Sequence, residues 1–219
     1  MARDLFDRLT GHDDAPRCRY DMATGRAEFV AAPTLSHESR AATIGELFLR
    51  ILFALEEAGS SIELKVLRSG RLLSDEGAFE PDEGLFVGAA KVDAAERIEG
   101  WLDVREGHPA PDLVVEIDRS TDSSDKLVPY FRMGVREAWT WSRRKGTAIW
   151  TAAPAAPEEL ARVTASKVLP GVTQSALERV LDARSGADRR YHLRRLAREV
   201  ASNMLAPGTG GARAAGHGI

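Results

Sequence analysis

The sequence predicts an α/β chain of the α+β type, in which one mixed β-sheet is flanked by helices. Three observations predict it. A long amphipathic helix comes early, at residues 35–58. Strand-like segments at 61–68 and 84–89 follow, and a strand at 113–118 then leads through a helix at 125–133 towards another strand. Because a helical crossover joins parallel strands while short turns join antiparallel ones, this order favours a mixed sheet covered by helices.

The first elements are a short strand and the long helix. A turn at Gly25 precedes the strand at 26–30. In the helix at 35–58, apolar residues recur at helical spacing and form one buried stripe. This stripe consists of Ile44, Leu47, Ile51, Leu52 and Leu55.

The strand at 113–118 carries the most informative pattern, because its apolar start is too short and too β-branched for a helix. Alternation places Glu116 and Asp118 together on one face. The opposite face is apolar and consists of Leu113, Val115 and Ile117. Buried carboxylates are costly unless they meet a cation, a hydrogen-bond donor or solvent. With Lys126 on the following helix, the pair suits a metal-dependent phosphodiesterase site.

The helix at 125–133 follows a polar segment, residues 120–123, in which any residue could cap a helix. Lys126 and Tyr130 are four residues apart and share one helix face. Gly134 ends the helix. The remaining elements are strands at 138–142, 148–152 and 161–164, and closing helices at 172–183 and 189–204.

Length and composition predict one intracellular domain. At 219 residues with 43% hydrophobic content, the chain can bury one core and hardly two. We divide it into an N-terminal extension (1–19), one domain (20–203) and a disordered tail rich in Gly and Ala (204–219). The single cysteine, Cys18, excludes an intramolecular disulfide and a cysteine-based zinc cluster. The sequence has neither a membrane-spanning apolar run nor an apolar secretory segment, so no membrane association and a cytoplasmic location are expected.

Charge gives no whole-molecule attraction to nucleic acid, because the net charge is −3. DNA binding would therefore need a local patch or bound cations. One basic segment lies near the C-terminus and contains Arg184, Arg189, Arg190, Arg194, Arg195 and Arg198. It is either a surface that follows phosphates or a solvated helix face with the arginine stems packed down.

Motifs after the central strand follow a known pattern. Glu116 begins the segment E-I-D-R-S, and Lys126 and Tyr130 follow on the next helix. The segment G-V-R-E-A-W stands at 134–139. Two residues after Glu116, where a D/E-x-K motif has its lysine, this sequence has Asp118.

Two upstream segments complete the pattern. The segment E-P-D-E-G-L-F-V-G at 80–88 has Asp82 in its leading carboxylate position, and His37 and Glu38 open the long helix. Over residues 20–181 the chain resembles the Uma2 family (DUF820), a branch of the PD-(D/E)xK nuclease superfamily.

The resemblance implies a restriction-endonuclease-like fold and a site that holds Mg²⁺ or Mn²⁺. It implies Asp82 and Glu116 as metal ligands, with the Ile117 carbonyl as a third. Hard divalent ions take oxygen ligands of this kind. Lys126 would lie near the attacking water or the phosphate.

Several of these residues have a second interpretation. Asp82 lies in an ordinary turn sequence, and Glu116 could form an ion pair with Lys126 without any metal. Asp118 is either a further ligand or a cap for the next turn. His37, Glu38 and Tyr130 could line the site. Alternatively, Glu38 could interact with the helix dipole, His37 could be a structural residue and Tyr130 could be a core aromatic.

Two functions from different classes follow. The first is a metal-dependent endonuclease that hydrolyses phosphodiester bonds of DNA, with Asp82, Glu116 and Lys126 as catalytic residues. The second is a nuclease-fold module that binds nucleic acid or protein with weak or lost catalysis. Because a duplex has two strands to cut, a homodimer is expected.

Overall fold

The computed structural model describes residues 18–21, 26–29, 35–68, 70–118, 124–183 and 185–206. Its larger sheet has six strands: β3 (Leu64–Arg68), β6 (Glu83–Val87), β8 (Leu113–Asp118), β9 (Glu137–Ser142), β10 (Gly146–Ala153) and β11 (Ala156–Val163). Their order across the sheet is β11-β10-β9-β8-β6-β3. The strands β8 and β6 therefore lie inside the sheet.

A smaller sheet lies beside it. Its strands are β1 (Cys18–Asp21), β2 (Arg26–Phe29), β4 (Leu72–Ser74), β5 (Gly77–Phe79) and β7 (Leu102–Asp103), in the order β2-β1-β5-β4-β7. The described helices are α1 (Leu35–Glu57), α2 (Ala89–Glu96), α3 (Ser124–Arg132), α4 (Gln174–Leu181) and α5 (Gly186–Leu205), with a 3-10 turn at Val104–Glu106. The mixed sheet flanked by helices is confirmed.

The central strand β8 has one antiparallel and one parallel neighbour. It pairs antiparallel with β6, where Glu83 lies opposite Val115. It pairs parallel with β9, and α3 provides the crossover between them. Gly134, with φ 97°, follows α3 and lets the chain turn back towards β9. The predicted strand–helix–strand unit is therefore confirmed.

The two faces of β8 enter different hydrophobic clusters. Leu113, Val115 and Ile117 pack into the cluster formed with α1, α4 and α5. Val114 packs into a second cluster, which contains Leu127 and Tyr130 of α3. The alternation predicted for this strand is confirmed, and Glu116 shares the face that α3 covers.

The helix ends follow local side-chain chemistry. Thr173 accepts a hydrogen bond from the Ala176 amide at the start of α4, and Ser185 accepts one from the Asp188 amide at the start of α5. Such caps satisfy amides that have no intrahelical acceptor. In the described part of the chain, no helix is long and apolar enough to cross a membrane.

Several short elements were missed by the sequence interpretation. The strands β1, β4, β5 and β7 have two to four residues, too few to show a period-two pattern. Helix α2 was also missed, because it buries only Val92 and Ala95. The strand predicted at 84–89 accordingly stops at Val87, and the one predicted at 61–68 begins only at Leu64.

Some predictions fall outside the described residues. These are the capping residues at 120–123, residues 1–17 of the N-terminal extension and residues 207–219 of the tail. Residues 18–19 belong to β1, and α5 continues to Leu205.

Candidate active site

Asp82 is fixed beside the carboxyl end of β8. Its backbone amide donates to the Val115 carbonyl oxygen at 3.0 Å. Its carboxylate oxygen Oδ2 accepts a hydrogen bond from the Ile117 amide at 2.7 Å. The side chain is buried, so this turn residue is held in place by the strand next to it.

The Ile117 carbonyl lies on the side of β8 that faces Asp82. The Val115 carbonyl points towards β6, since it accepts the Asp82 amide. Carbonyls two residues apart in a strand point to the same side, and β6 begins only at Glu83. The Ile117 oxygen is therefore directed past the start of β6, where a cation held by Asp82 would lie.

Helix α3 supplies two hydrogen-bond donors to Glu116. Lys126 Nζ lies 2.6 Å from its Oε2, and the Tyr130 hydroxyl donates to its Oε1 at 2.5 Å. The spacing of four residues brings both donors to one helix face. The ion pair considered from the sequence is present, and Tyr130 both packs in the core and contacts the site.

Burial raises the pKa of the Glu116 carboxyl, Lys126 lowers it, and the Asp82 carboxylate raises it again. The Asp82 carboxylate accepts the amide of Ile117, the residue after Glu116, and its charge disfavours ionisation of Glu116. A cation placed between them would relieve that repulsion. The structure thus brings together Asp82, Glu116 and Lys126.

His37 lies at the same site, at the start of α1. Its Nε2 is 3.3 Å from Asp82 Oδ2, and its Nδ1 is 3.6 Å from a carboxylate oxygen of Glu38. Glu38 is 55% exposed, so it lies on the solvent side of the His37 ring. Asp118 ends β8 and is buried, but residues 119–123 after it lie outside the described part, and its role stays a prediction.

Glu83 is a buried acid that the sequence interpretation missed. Burial raises the pKa of its carboxyl to about 7, against the lowering effect of Arg68, whose Nε is 4.0 Å away, and with raising effects of Asp82 and Glu38. Gly45 makes room for it, since a Cβ there would lie 2.8 Å from Glu83 Oε1. Alternation along β6 was the available signal, because Glu83 shares the core face of Leu85.

Glu137, in the motif at 134–139, has a structural role. Its Oε1 accepts the Trp139 indole N–H at 2.6 Å, and its Oε2 accepts the Lys167 amide at 2.7 Å. Two residues apart on one strand, Glu137 and Trp139 share a face. That spacing was the signal for this contact.

The donor set at the end of β8 suits a hard divalent ion. Among the described residues, no group of three or more His, Cys, Asp or Glu side chains could hold a metal. The candidate ligands are instead two carboxylates and one backbone carbonyl. Mg²⁺ is commonly held by one or two carboxylates and keeps waters and substrate oxygens in its other positions, so the residues present fit it.

Fold and site together define a nuclease-like α/β protein. A family model described as "Uma2: Putative restriction endonuclease" matches residues 3–183. The chain belongs to the Uma2 family. This membership confirms the resemblance and supports a hydrolase acting on phosphodiester bonds.

A solved structure shares the fold. It is described as a putative nuclease belonging to DUF820 from Anabaena variabilis ATCC 29413, with 15% identity and a TM-score of 0.54. The match covers 90% of this chain and 99% of that one. A search of curated proteins finds no match.

Proposed function

We propose that the protein is a Mg²⁺- or Mn²⁺-dependent endonuclease that hydrolyses phosphodiester bonds of DNA. The observation that carries this proposal is the arrangement at the end of β8. There, two buried carboxylates, Asp82 and Glu116, interact through their charges, and Lys126 contacts one of them. Family membership supports the reaction class.

The metal would be held by Asp82, Glu116 and the Ile117 carbonyl. A bound divalent ion supplies charge neutralisation at the phosphoryl group and lowers the pKa of a water molecule. The two carboxylates need no large rearrangement for this role, because each is already fixed by a hydrogen bond from a rigid element.

Lys126 would act on the phosphate or the attacking water. Its side chain is 19% exposed, so part of it is accessible to solvent. An ammonium group has three N–H donors, and Glu116 Oε2 is its partner for one of them. A donor aimed at the scissile phosphate stabilises the charge that develops in the transition state.

His37 and Tyr130 are positioning residues in this proposal. His37 Nε2 lies beside Asp82 Oδ2, and the Tyr130 hydroxyl holds Glu116 Oε1. Each contact fixes a carboxylate near the carboxyl end of β8. Metal ligands that are oriented by such partners bind more tightly than free ones.

A nuclease-fold binding module is the second candidate, and one observation favours it. Both carboxylate oxygens of Glu116 already contact protein donors, Lys126 and Tyr130. This arrangement neutralises a buried acid without any metal. The two functions share a fold, so chemistry alone separates them.

The separating experiment is incubation of the protein with varied DNA and RNA substrates, with and without Mg²⁺ or Mn²⁺. If the protein is a metal-dependent endonuclease, we expect cleavage only in the presence of the ion and loss of cleavage in Asp82→Asn. Binding without cleavage under every condition would favour the module instead. Cleavage that persists in excess chelator would contradict metal dependence.

The homodimer and the cytoplasmic location stay predictions. We propose a two-fold dimer because each subunit would then cut one strand of a duplex. Light scattering at micromolar concentration tests it, and a monomer at every concentration would contradict it.

A further inference from the structure

A cleft of about 270 Å³ lies between the first turns of α1 and the junction of α4 with α5. Its basic lining side chains are Arg40 from α1 and Arg189 from α5. Its other polar lining residues are Ser39, Thr43 and Asp182. The cleft therefore has two cationic groups and one acidic group around a space larger than a phosphate.

The cleft adjoins the candidate active site through α1. Arg40 follows His37 by three residues, which is a rise of about 4.5 Å along the same side of the helix. His37 in turn contacts Asp82. The cleft therefore begins about one helical turn along α1 from the residue that contacts Asp82.

A second series of contacts connects the cleft with the carboxyl end of β8. The Arg40 guanidinium lies 3.9 Å from the centre of the Trp141 ring. Trp141 of β9 is the register partner of Ile117 in β8, and the Ile117 amide binds Asp82. Stacking on a buried indole fixes the guanidinium plane, so its donors are oriented before any ligand arrives.

Arg189 offers hydrogen-bonding capacity that the described residues do not use. Its Nε is buried and has no hydrogen-bond partner among them. A buried donor without a partner costs free energy, which an anionic ligand would recover. Guanidinium groups match phosphate oxygens in a planar, bidentate geometry.

We infer that Arg40 and Arg189 bind a backbone phosphate of the nucleic acid that flanks the scissile phosphodiester. This inference rests on the proposed function and names a binding subsite for its substrate. The inference assigns two different roles to the arginines of the basic segment near the C-terminus. Arg189 serves the cleft, while exposed arginines further along α5, such as Arg198, form a solvated face.

The test compares Arg40→Gln and Arg189→Gln with Arg198→Gln, which removes the same charge from an exposed position outside the cleft. Nine residues separate Arg198 from Arg189, so the two lie on opposite sides of α5. Binding of a fluorescein-labelled DNA duplex is measured by anisotropy in chelator over a range of KCl concentrations. Cleavage with Mg²⁺ and Mn²⁺ is measured on the same four proteins.

Each cleft variant is expected to lower the slope of log K against log[KCl] by about 0.9, the value for one lost phosphate contact on duplex DNA. The loss of affinity should be the same for unrelated sequences, because phosphate contacts carry no sequence information. Arg198→Gln should keep the wild-type slope. If Arg40→Gln does not fold because the guanidinium that stacks on Trp141 is lost, the result for Arg189→Gln alone tests the inference.

Wild-type slopes in the cleft variants, or equal losses in all three variants, would overturn the inference and leave the proposed function intact if the wild type cleaves. A wild type that binds but never cleaves would remove the nuclease proposal, while the slopes still decide whether the cleft holds a phosphate. A wild type that does not bind DNA at all would overturn the inference as well.

Discussion

The two ends of β8 bury acidic side chains in different ways. At the amino end, Asp112 accepts the Val87 amide at 2.9 Å and contacts Lys91 at 2.9 Å and Arg136 at 3.3 Å. At the carboxyl end, Glu116 contacts one lysine and one hydroxyl, and a second carboxylate, that of Asp82, raises its pKa. The amino end surrounds its acid with donors, whereas the carboxyl end places an acid beside an acid.

Glu137 extends the contrast, because it begins β9 opposite Leu113 at the amino end. It is fully buried, yet hydrogen bonds from Trp139 and from the amides of Lys167 and Val168 satisfy it. Burial of an acid is therefore not the mark of function in this sheet. We expect the functional acids at the carboxyl end, where the Asp82 carboxylate raises the pKa of Glu116 and where open α/β sheets bind ligands.

The largest expected effect is a difference in cleavage rate between variants of two lysines, each of which contacts a buried acid. Lys126→Met should lower cleavage by about 10²–10³-fold, the usual cost of removing one donor to the transition state. Lys91→Met removes the matching contact to Asp112 at the other end. It should lower stability and leave cleavage per folded molecule unchanged.

Steady-state cleavage rates normalised to the folded fraction measure this difference. Equal losses of activity in Lys126→Met and Lys91→Met would mean that the two ends do not differ in function. Metal binding should persist or tighten in Lys126→Met, because the variant removes a positive charge from beside the ion.

The next effect concerns pH and Glu83, the acid beside Asp82. Burial raises the pKa of this carboxyl from 4.5 to about 7. Between these two values the unfolded chain has released its proton while the folded chain keeps it, so the free energy of unfolding falls as pH rises. The full loss is about 3 kcal/mol, and it is complete above pH about 7.

Chemical denaturation in chelator, from pH 4 to 8, measures this loss, with Glu83→Gln as the control. Glutamine does not titrate, so the variant should gain stability relative to the wild type through this window and hold the gain above it. Parallel pH profiles for the two proteins would show that Glu83 does not keep its proton in the folded state.

A smaller effect tests the satisfied acid at the amino end. Glu137→Gln replaces an acceptor oxygen by an amide NH₂ that faces either the Trp139 indole or the Lys167 amide, so one donor loses its partner. The expected loss of unfolding free energy is about 1–3 kcal/mol, the cost of one unsatisfied buried group. Glu116→Gln should cost less stability, because the Tyr130 hydroxyl can accept from the new NH₂ and a buried charge is removed.

Equilibrium denaturation of the two glutamine variants checks this order. A larger loss of stability in Glu116→Gln than in Glu137→Gln would reverse the assignment of structural and functional acids. Cleavage should fall in Glu116→Gln and persist in folded Glu137→Gln.

Local periodicity made one half of the site predictable. The alternation of β8 placed Glu116 on its face, and the four-residue spacing in α3 placed Lys126 and Tyr130 together. The other half depends on a contact between Asp82 and Ile117, which are 35 residues apart. No local pattern specifies such pairing, and only family resemblance suggested it.

The parts of the fold that were missed share one physical cause. The strands β4, β5 and β7 have two or three residues each, and their position is determined by pairing with one another. Alternation along β6 could have placed Glu83 on the core face, but its close approach to α1 at Gly45 is a tertiary contact. Tertiary contacts of this kind leave no periodic trace in the sequence.

The most direct test of the central claim is a manganese titration of the melting temperature for wild type, Asp82→Asn and Asp112→Asn. If Asp82 and Glu116 hold the ion, the wild type should gain about 2.7 kcal/mol at a free ion concentration about one hundred times Kd. Asp112→Asn should start lower and show the same gain, because it acts at the other end of β8. Asp82→Asn should show almost none. An equal manganese-induced shift in wild type and Asp82→Asn would contradict the metal site and leave the binding module as the better account.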